Sequence, residues 1–235
     1  PEGEEQWFSE TVVRMPHGNV CYGPPDYAPD VNSLPALENG YVTFGCCNNL
    51  AKINDRVMSL WADILKAIPD SRLSLRTRII DDEATAQRVH DRFEGLGIAP
   101  ERVALAGEVP HEAFMAHYHE IDMALDPFPY SGGLTTCEAL WMGVPVISML
   151  GETFAGRHSA SHLRNVGLDD WVAETAGEYL ALAEKHSRDL EELAELRASL
   201  RERMATSPLC DGRRYTRDLE AVYRQMWRKW CDTAS

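Results

Sequence analysis

From Tyr41 onward the chain alternates short apolar runs with amphipathic stretches. The run YVTFGCC (41–47) predicts a buried strand. Behind Asn54, a residue type suited to capping, Val57, Leu60, Trp61, Ile64, Leu65 and Ile68 recur on one face, which predicts a helix over 54–68. A second strand follows at RLSLRT (72–77). The next helix, over 81–97, has acids at its start and Gly97 at its end, where the helix dipole and C-cap geometry favour them. Strand RVALAGE (102–108), a helix over 110–120 and strand IDMALD (121–126) continue the series. The loop PFPYSGG leads into helix LTTCEALWMG and strand VPVISM (144–149). Beyond it the pattern predicts a helix within 156–166, a short strand at Trp171–Ala173, one long helix over 176–204 and a last helix over 213–231. Leu180, Ala183, Leu190, Leu193, Leu196 and Leu200 form the core-facing stripe of the long helix. Alternation at this spacing makes right-handed crossovers and a parallel sheet covered on both faces. The expected fold is therefore α/β, a Rossmann-like lobe over residues 41–235 with helices appended at its C-terminus.

Residues 1–40 differ. Pro16, Pro24, Pro25, Pro29 and Pro35 exclude a long helix or a central strand between them. The segment reads as an extended connector that opens with the end of a helix (EEQWFSETVVRM), the tail of something upstream.

Composition narrows the function. Among 235 residues, 37 Asp and Glu stand against 23 Lys and Arg, a formal charge of −14. A duplex-coating nucleic-acid binder needs a basic face to displace counterions, so that class is disfavoured. One local basic pocket for a phosphorylated small molecule is still allowed. No apolar run approaches the roughly 20 residues of a membrane span, and PEGEEQWFSE lacks the basic start and apolar middle of a signal peptide. The six cysteines (21, 46, 47, 137, 210, 231) show no C-x-x-C spacing. Free thiols in a reducing, cytoplasmic setting follow.

In doubly wound sheets ligands lie beyond the carboxyl ends of the strands, so strand-to-helix loops are the places to look. In 126–148, Asp126 ends a strand, and Gly132 and Gly133 lead into a helix with Thr135 and Thr136 in its first turn. Unpaired amides at a helix start, close approach over glycine and two hydroxyls suit phosphate oxygens. Glu138, one turn deeper, is placed to accept hydrogen bonds from a ribose. A glycine turn with threonine capping and no ligand would leave the same pattern. In CCNNLAKIN (46–54), Asn48 and Asn49 offer amide donors, and Lys52 is a cation that can neutralise a diphosphate leaving group, or else a solvated surface lysine. The loop AGEVPHEAFMAHYHEID carries His111, Phe114, His117 and His119. No cysteine or carboxylate completes a tetrahedral set around His-x-His, and there is no Asp-x-Asp, so no metal site is expected. Phe114 is either core or an aromatic platform for a base.

The blocks NNLAKI, DPFPYSGGLTTCEALWMGVPVIS, GETFAGRHSASHL and SPLCDGRRYTRDLEAVYRQMW, in this order between Tyr41 and Trp230, resemble the C-terminal catalytic half of the O-GlcNAc transferase and SPINDLY glycosyltransferases, above all the bacterial members. The resemblance implies a GT-B fold of two Rossmann-like lobes, the C-terminal one holding the donor nucleotide, usually behind tetratricopeptide repeats. Residues 1–40 resemble the stretch joining the lobes. The implied reaction transfers a sugar to protein Ser or Thr hydroxyls with inversion and without a metal or other cofactor. By position Lys52 matches the lysine that contacts the donor diphosphate, Asn49 a glutamine or asparagine on the nucleotide, Thr135 and Thr136 the diphosphate-binding threonines, and Glu138 the acid on the ribose. His111 and Phe114 fall in the loop near the base; Phe114 stands where a histidine is common, and Leu134 replaces a threonine or similar residue. PFPYSGG and TTCEALWMG look closer to SPINDLY, whose plant members use GDP-fucose, and GETFAGR closer to enzymes that use UDP-GlcNAc. Both donors stay open. The acceptor side of such an enzyme lies on the N-terminal lobe, so this chain alone is expected to bind nucleotide without transferring sugar. A non-catalytic nucleotide-binding module and a transferase with a glycan or lipid acceptor are the rival readings.

Overall fold

The computed structural model describes residues 3–234. Its core is a single parallel sheet of β1 (Thr43–Cys46), β2 (Arg72–Arg76), β3 (Val103–Ala106), β4 (Met123–Leu125), β5 (Val146–Met149) and β6 (Val172–Ala173), in the spatial order β3-β2-β1-β4-β5-β6. Every pairing is parallel, for example Phe44 with Leu73 on one side and with Met123 on the other. β1 and β4 are buried along their whole length, as strands covered on both faces must be. The chain builds outward from β1 to β3, returns to the centre, and builds the other way from β4 to β6. With right-handed crossovers that reversal places the two sets of connecting helices on opposite faces.

The helices are α1 (Ala36–Asn39), α2 (Asp55–Ala67), α3 (Glu83–Gly95), α4 (His111–His117), α5 (Leu134–Trp141), α6 (His158–Asn165), α7 (Ala176–Arg188), α8 (Leu190–Thr206) and α9 (Gly212–Ala234). Asn54 caps α2 through its side chain, which accepts from the amides of Arg56 and Val57, and Trp61 beneath it is wholly buried. α3 starts at the Asp82 cap, whose carboxylate accepts from the Thr85 amide. It ends before Gly97, whose φ of +83° is a backbone state that suits glycine. α7 packs on α2, β5 and β6, and α8 packs on α5 and α7.

Two expectations are corrected. The long helix over 176–204 is two helices, because Asp189 leaves helical geometry (φ −118°, ψ 83°) and caps α8 by accepting from the Glu192 amide. The sequence does carry that break, as an acid followed three residues later by Glu192. At the N-terminus, EEQWFSETVVRM holds only a 3₁₀ turn at Glu4–Trp7. Short of the neighbouring turns that helical hydrogen bonding needs, it continues as irregular chain.

The proline-rich lead is pinned to the lobe rather than standing apart from it. The Tyr22 amide donates to Leu209 O at 2.7 Å and Asn165 Nδ2 to His17 O at 2.8 Å. Arg197 is 1% exposed; its guanidinium donates to the Asn32 carbonyl and side-chain oxygen, to Ile121 O and to Tyr118 O. Asp122, equally buried, accepts from the amides of Ala36 and Thr43. Burial draws the Arg197 guanidinium down to about 10, against the opposing pull of Asp122. A buried cation losing its side chain leaves its acceptors without donors, so Arg197→Ala should cost about 3 kcal/mol in urea unfolding. Limited proteolysis should then cut the lead faster than in the parent protein; unchanged stability and protection would show that the lead is held by other contacts.

Candidate functional site

The strand order reverses between β1 and β4, and the two loops leaving these strands meet there. After β1 the chain makes a 3₁₀ turn at Leu50–Lys52. After β4 it runs through Pro129, Tyr130 and Ser131 to Gly132 and Gly133, where α5 starts. Gly133 supplies no side-chain cap, so the first-turn amides of α5 receive no acceptor from the residue before them.

Lys52 reaches across the gap. Its ammonium donates to Ser131 O at 2.8 Å and to Asn48 Oδ1 at 3.4 Å, and it lies 4.0 Å from the centre of the Tyr130 ring. Thr135 Oγ1 donates to the same Asn48 oxygen at 3.2 Å. The lysine and the helix start are thus joined through one side chain. Burial draws the Lys52 ammonium below its usual value, while the Asp126 carboxylate pulls the other way. At Gly132 an added Cβ would lie 2.3 Å from Thr136 Oγ1 and 2.8 Å from Asp126 Oδ1, so a side chain there displaces one of these buried groups or the turn.

The remaining expected residues are distributed around this point. Asn49 is exposed, and its side chain caps the 3₁₀ turn by accepting from the Ala51 amide. Thr136 is 2% exposed, and its hydroxyl is engaged with Ser159 Oγ at 2.8 Å, beneath the cleft rather than in it. Glu138 is 3% exposed and pairs with His111 Nε2 at 2.8 Å. Burial raises this carboxyl and the contact with His111 lowers it. His111 stacks on Phe114, with ring centres 5.7 Å apart, and meets the Tyr27 hydroxyl at 2.9 Å through Nδ1. Phe114 is therefore half-buried beside an imidazole, forming part of an aromatic wall. The Tyr118 hydroxyl donates to Thr135 O at 3.0 Å and links that wall to α5.

Four contributors, Ser131, His158, Ser159 and Tyr27, have no sequence signal that singles them out, and the choice between Asn48 and Asn49 is made only by the fold. Ser131, Ser159 and His158 sit where the start of α6 meets the glycine turn: the amides of His158 and Ser159 donate to Ser131 Oγ. His158 is drawn below its usual value by burial and by Lys52. Tyr27 comes from the lead, 84 residues from His111 in sequence, and has no local signature. Of the other loop histidines, His117 meets Ser74 Oγ and His119 meets Asp30 O. Among the described residues no group of three His, Cys, Asp or Glu side chains is arranged to hold a metal ion.

The space bounded by Asn48, Asp126, Thr135 and Thr136 is only about 10 Å³. Lys52 and Tyr130 form its rim, linked to Thr135 at the start of α5 through Asn48. A separate groove of about 680 Å³ runs between the lead and α6 and borders the site at Phe154 and His158.

The doubly wound parallel sheet with helices on both faces matches a lobe of the GT-B glycosyltransferase fold. The model of glycosyl transferase family 41 matches residues 32–219, and the chain belongs to that family. It is 44% identical over 234 residues to a protein of Solanum lycopersicum named as a probable UDP-N-acetylglucosamine–peptide N-acetylglucosaminyltransferase SPINDLY, covering 99% of this chain and 25% of that protein. Identity to the UDP-N-acetylglucosamine–peptide N-acetylglucosaminyltransferase of Caenorhabditis elegans is 29% over 195 residues, 83% of this chain and 17% of that one. An O-GlcNAc transferase mutant of Thermobaculum terrenum superposes with a TM-score of 0.92 at 39% identity, over all of this chain and 44% of that one. The chain thus spans about a quarter of the length of its curated plant relatives.

Because the Gly132 position has no room for a Cβ, Gly132→Ala should lower stability by about 1–3 kcal/mol as the turn shifts to relieve the clash. Chemical denaturation checks this; a loss under 0.5 kcal/mol, within the ordinary range for a surface change, would mean the turn accommodates a side chain.

Proposed function

We propose that this chain is the donor-binding half of an inverting, metal-independent glycosyltransferase that moves a sugar from a nucleoside diphosphate to Ser or Thr hydroxyls of proteins, in the cytoplasm. The observation that carries the reading is the convergence of Lys52, Thr135 and the α5 start on Asn48 at the switch point of the sheet. Lys52 supplies positive charge where the bond to the sugar breaks and the diphosphate departs. Gly132, Gly133, Thr135 and the amides of α5 hold its oxygens, with Thr136 buttressing the helix start from below. Glu138 takes the ribose, steadied by His111, and Phe114 offers a face to the base. Asn49, on the exposed rim, reaches the nucleotide from above.

GlcNAc from UDP-GlcNAc is the donor named by the relatives; fucose from GDP-fucose is the competing one. The rim-like site supports a cleft whose other wall, with the acceptor and the acceptor-side proton chemistry, belongs to an N-terminal lobe, preceded by tetratricopeptide repeats. α9 supports the same division: Tyr223, Met226, Trp227 and Trp230 stand exposed at helical spacing along it, a stripe suited to burial against further protein. No helix among the described residues is long and apolar enough to cross a membrane.

Calorimetric titration of the chain with UDP and with GDP tests the donor assignment. A clear preference selects the sugar branch, and binding of neither would end the reading. The isolated chain should transfer no sugar to a protein acceptor. In the full-length enzyme Lys52→Ala should lower kcat by about 10²–10³-fold, with a smaller change in KM, because its charge matters most as the leaving group forms. A variant that keeps full turnover would make Lys52 a bystander. Glu138→Ala should instead weaken nucleotide binding more than it slows turnover.

A further inference from the structure

Asp126 is a buried carboxylate to which the proposed chemistry gives no task. It lies at the end of β4 and is 1% exposed. Its Oδ1 accepts the Gly132 amide at 2.6 Å and its Oδ2 the Ser148 hydroxyl at 2.7 Å. The Tyr179 hydroxyl, from α7, holds the Asp126 backbone carbonyl at 3.0 Å. Burial pushes the carboxyl up to about 6, against the hydrogen bonds from Ser148, Ser159 and Gly132 and the charge of Lys52. An ionised group so far from water costs stability unless geometry demands it.

The demand is visible in a single peptide group. The amide of Gly132 and the carbonyl of Ser131 belong to the same planar unit, and in a trans peptide they point in opposite directions. The amide faces Asp126; the carbonyl faces the ammonium of Lys52 at 2.8 Å. One rigid plane therefore stands between a buried anion and the cation of the cleft, with a charge-assisted hydrogen bond at each end. Free rotation of this plane would remove the acceptor that holds Lys52. Ser159 holds the following peptide, donating to Gly132 O at 3.1 Å.

We propose that Asp126 is a positioning residue for Lys52: by fixing the Ser131–Gly132 peptide, it sets where the lysine ammonium meets the nucleoside diphosphate. This rests on the donor-site reading above. It differs from a packing role in one respect: the effect of Asp126 must pass through Lys52.

A mutant cycle on this chain, read by calorimetry with UDP and GDP and with uridine and guanosine, tests it. Asp126→Ala should weaken the preferred diphosphate about tenfold and leave the matching nucleoside within twofold. Asp126→Asn keeps an acceptor for the Gly132 amide and should restore diphosphate affinity to within about threefold. In a Lys52→Ala background Asp126→Ala should change diphosphate affinity by less than twofold, because the path is already cut. Ser148→Ala, a smaller change that frees one carboxylate oxygen, should cost about fivefold on the diphosphate alone and carries the test if Asp126→Ala does not fold. Losses that multiply in the double variant, a parallel loss of nucleoside binding, or full diphosphate affinity in both Asp126→Ala and Ser148→Ala would each overturn the proposal. A parent chain that binds neither diphosphate removes the donor-site reading, and this inference with it; a parent that binds while the cycle is additive removes this inference alone.

Discussion

The peptide between Ser131 and Gly132 lies between opposite charges, and the candidate site is organised around it. Its amide is held by Asp126 below and its carbonyl by Lys52 above. Neither charge is placed by its immediate neighbours in sequence. Asp126 stands where it does because β4 pairs with β1 and β5 in the centre of the sheet, and Lys52 because β1 ends beside β4 and the 3₁₀ turn that follows folds toward the gap. The reversal of strand order is the constraint that makes the two loops neighbours; a sheet wound in one direction would place them apart.

Satisfying buried polar groups shapes the rest of the lobe in the same way. A proline-rich lead has few backbone partners of its own, and its carbonyls need donors wherever they are covered. Arg197 and Arg201 from α8 provide them, at Asn32 and at Pro29, and Asp122 accepts the amides where the lead passes through α1 into β1. The lead thereby brings Tyr27 to His111 and closes one side of the aromatic wall. A segment with no regular structure over most of its length still contributes a side chain to the candidate site, because charged groups on the lobe hold it there.

The shallow form of the site and the exposed aromatic stripe of α9 have a common physical meaning. In the proposed reaction, a cleft that excludes water around the departing diphosphate takes two walls, of which the described residues form one. Among the described residues, α9 exposes Tyr223, Met226, Trp227 and Trp230 at helical spacing. Both features accord with a chain that covers about a quarter of its curated plant relatives.

The sequence by itself determined the alternation of strands and helices, the class of fold, and the loops that leave each strand, because periodic burial and helix capping act over a few residues. Asn54 capping α2, Gly97 ending α3 and the glycine turn before α5 were all legible in this way. It also held the break at Asp189, in an acid three residues ahead of Glu192, although the continuous apolar stripe on either side concealed it. What it left undecided were contacts between residues far apart in the chain. That Asn48 rather than Asn49 joins Lys52 to Thr135, that the Thr136 hydroxyl faces Ser159, that Tyr27 reaches His111 and that Asp126 faces the Gly132 amide all depend on which strands lie side by side. Hydrogen bonds act over about 3 Å, and only the packed sheet brings groups from separate loops within that distance.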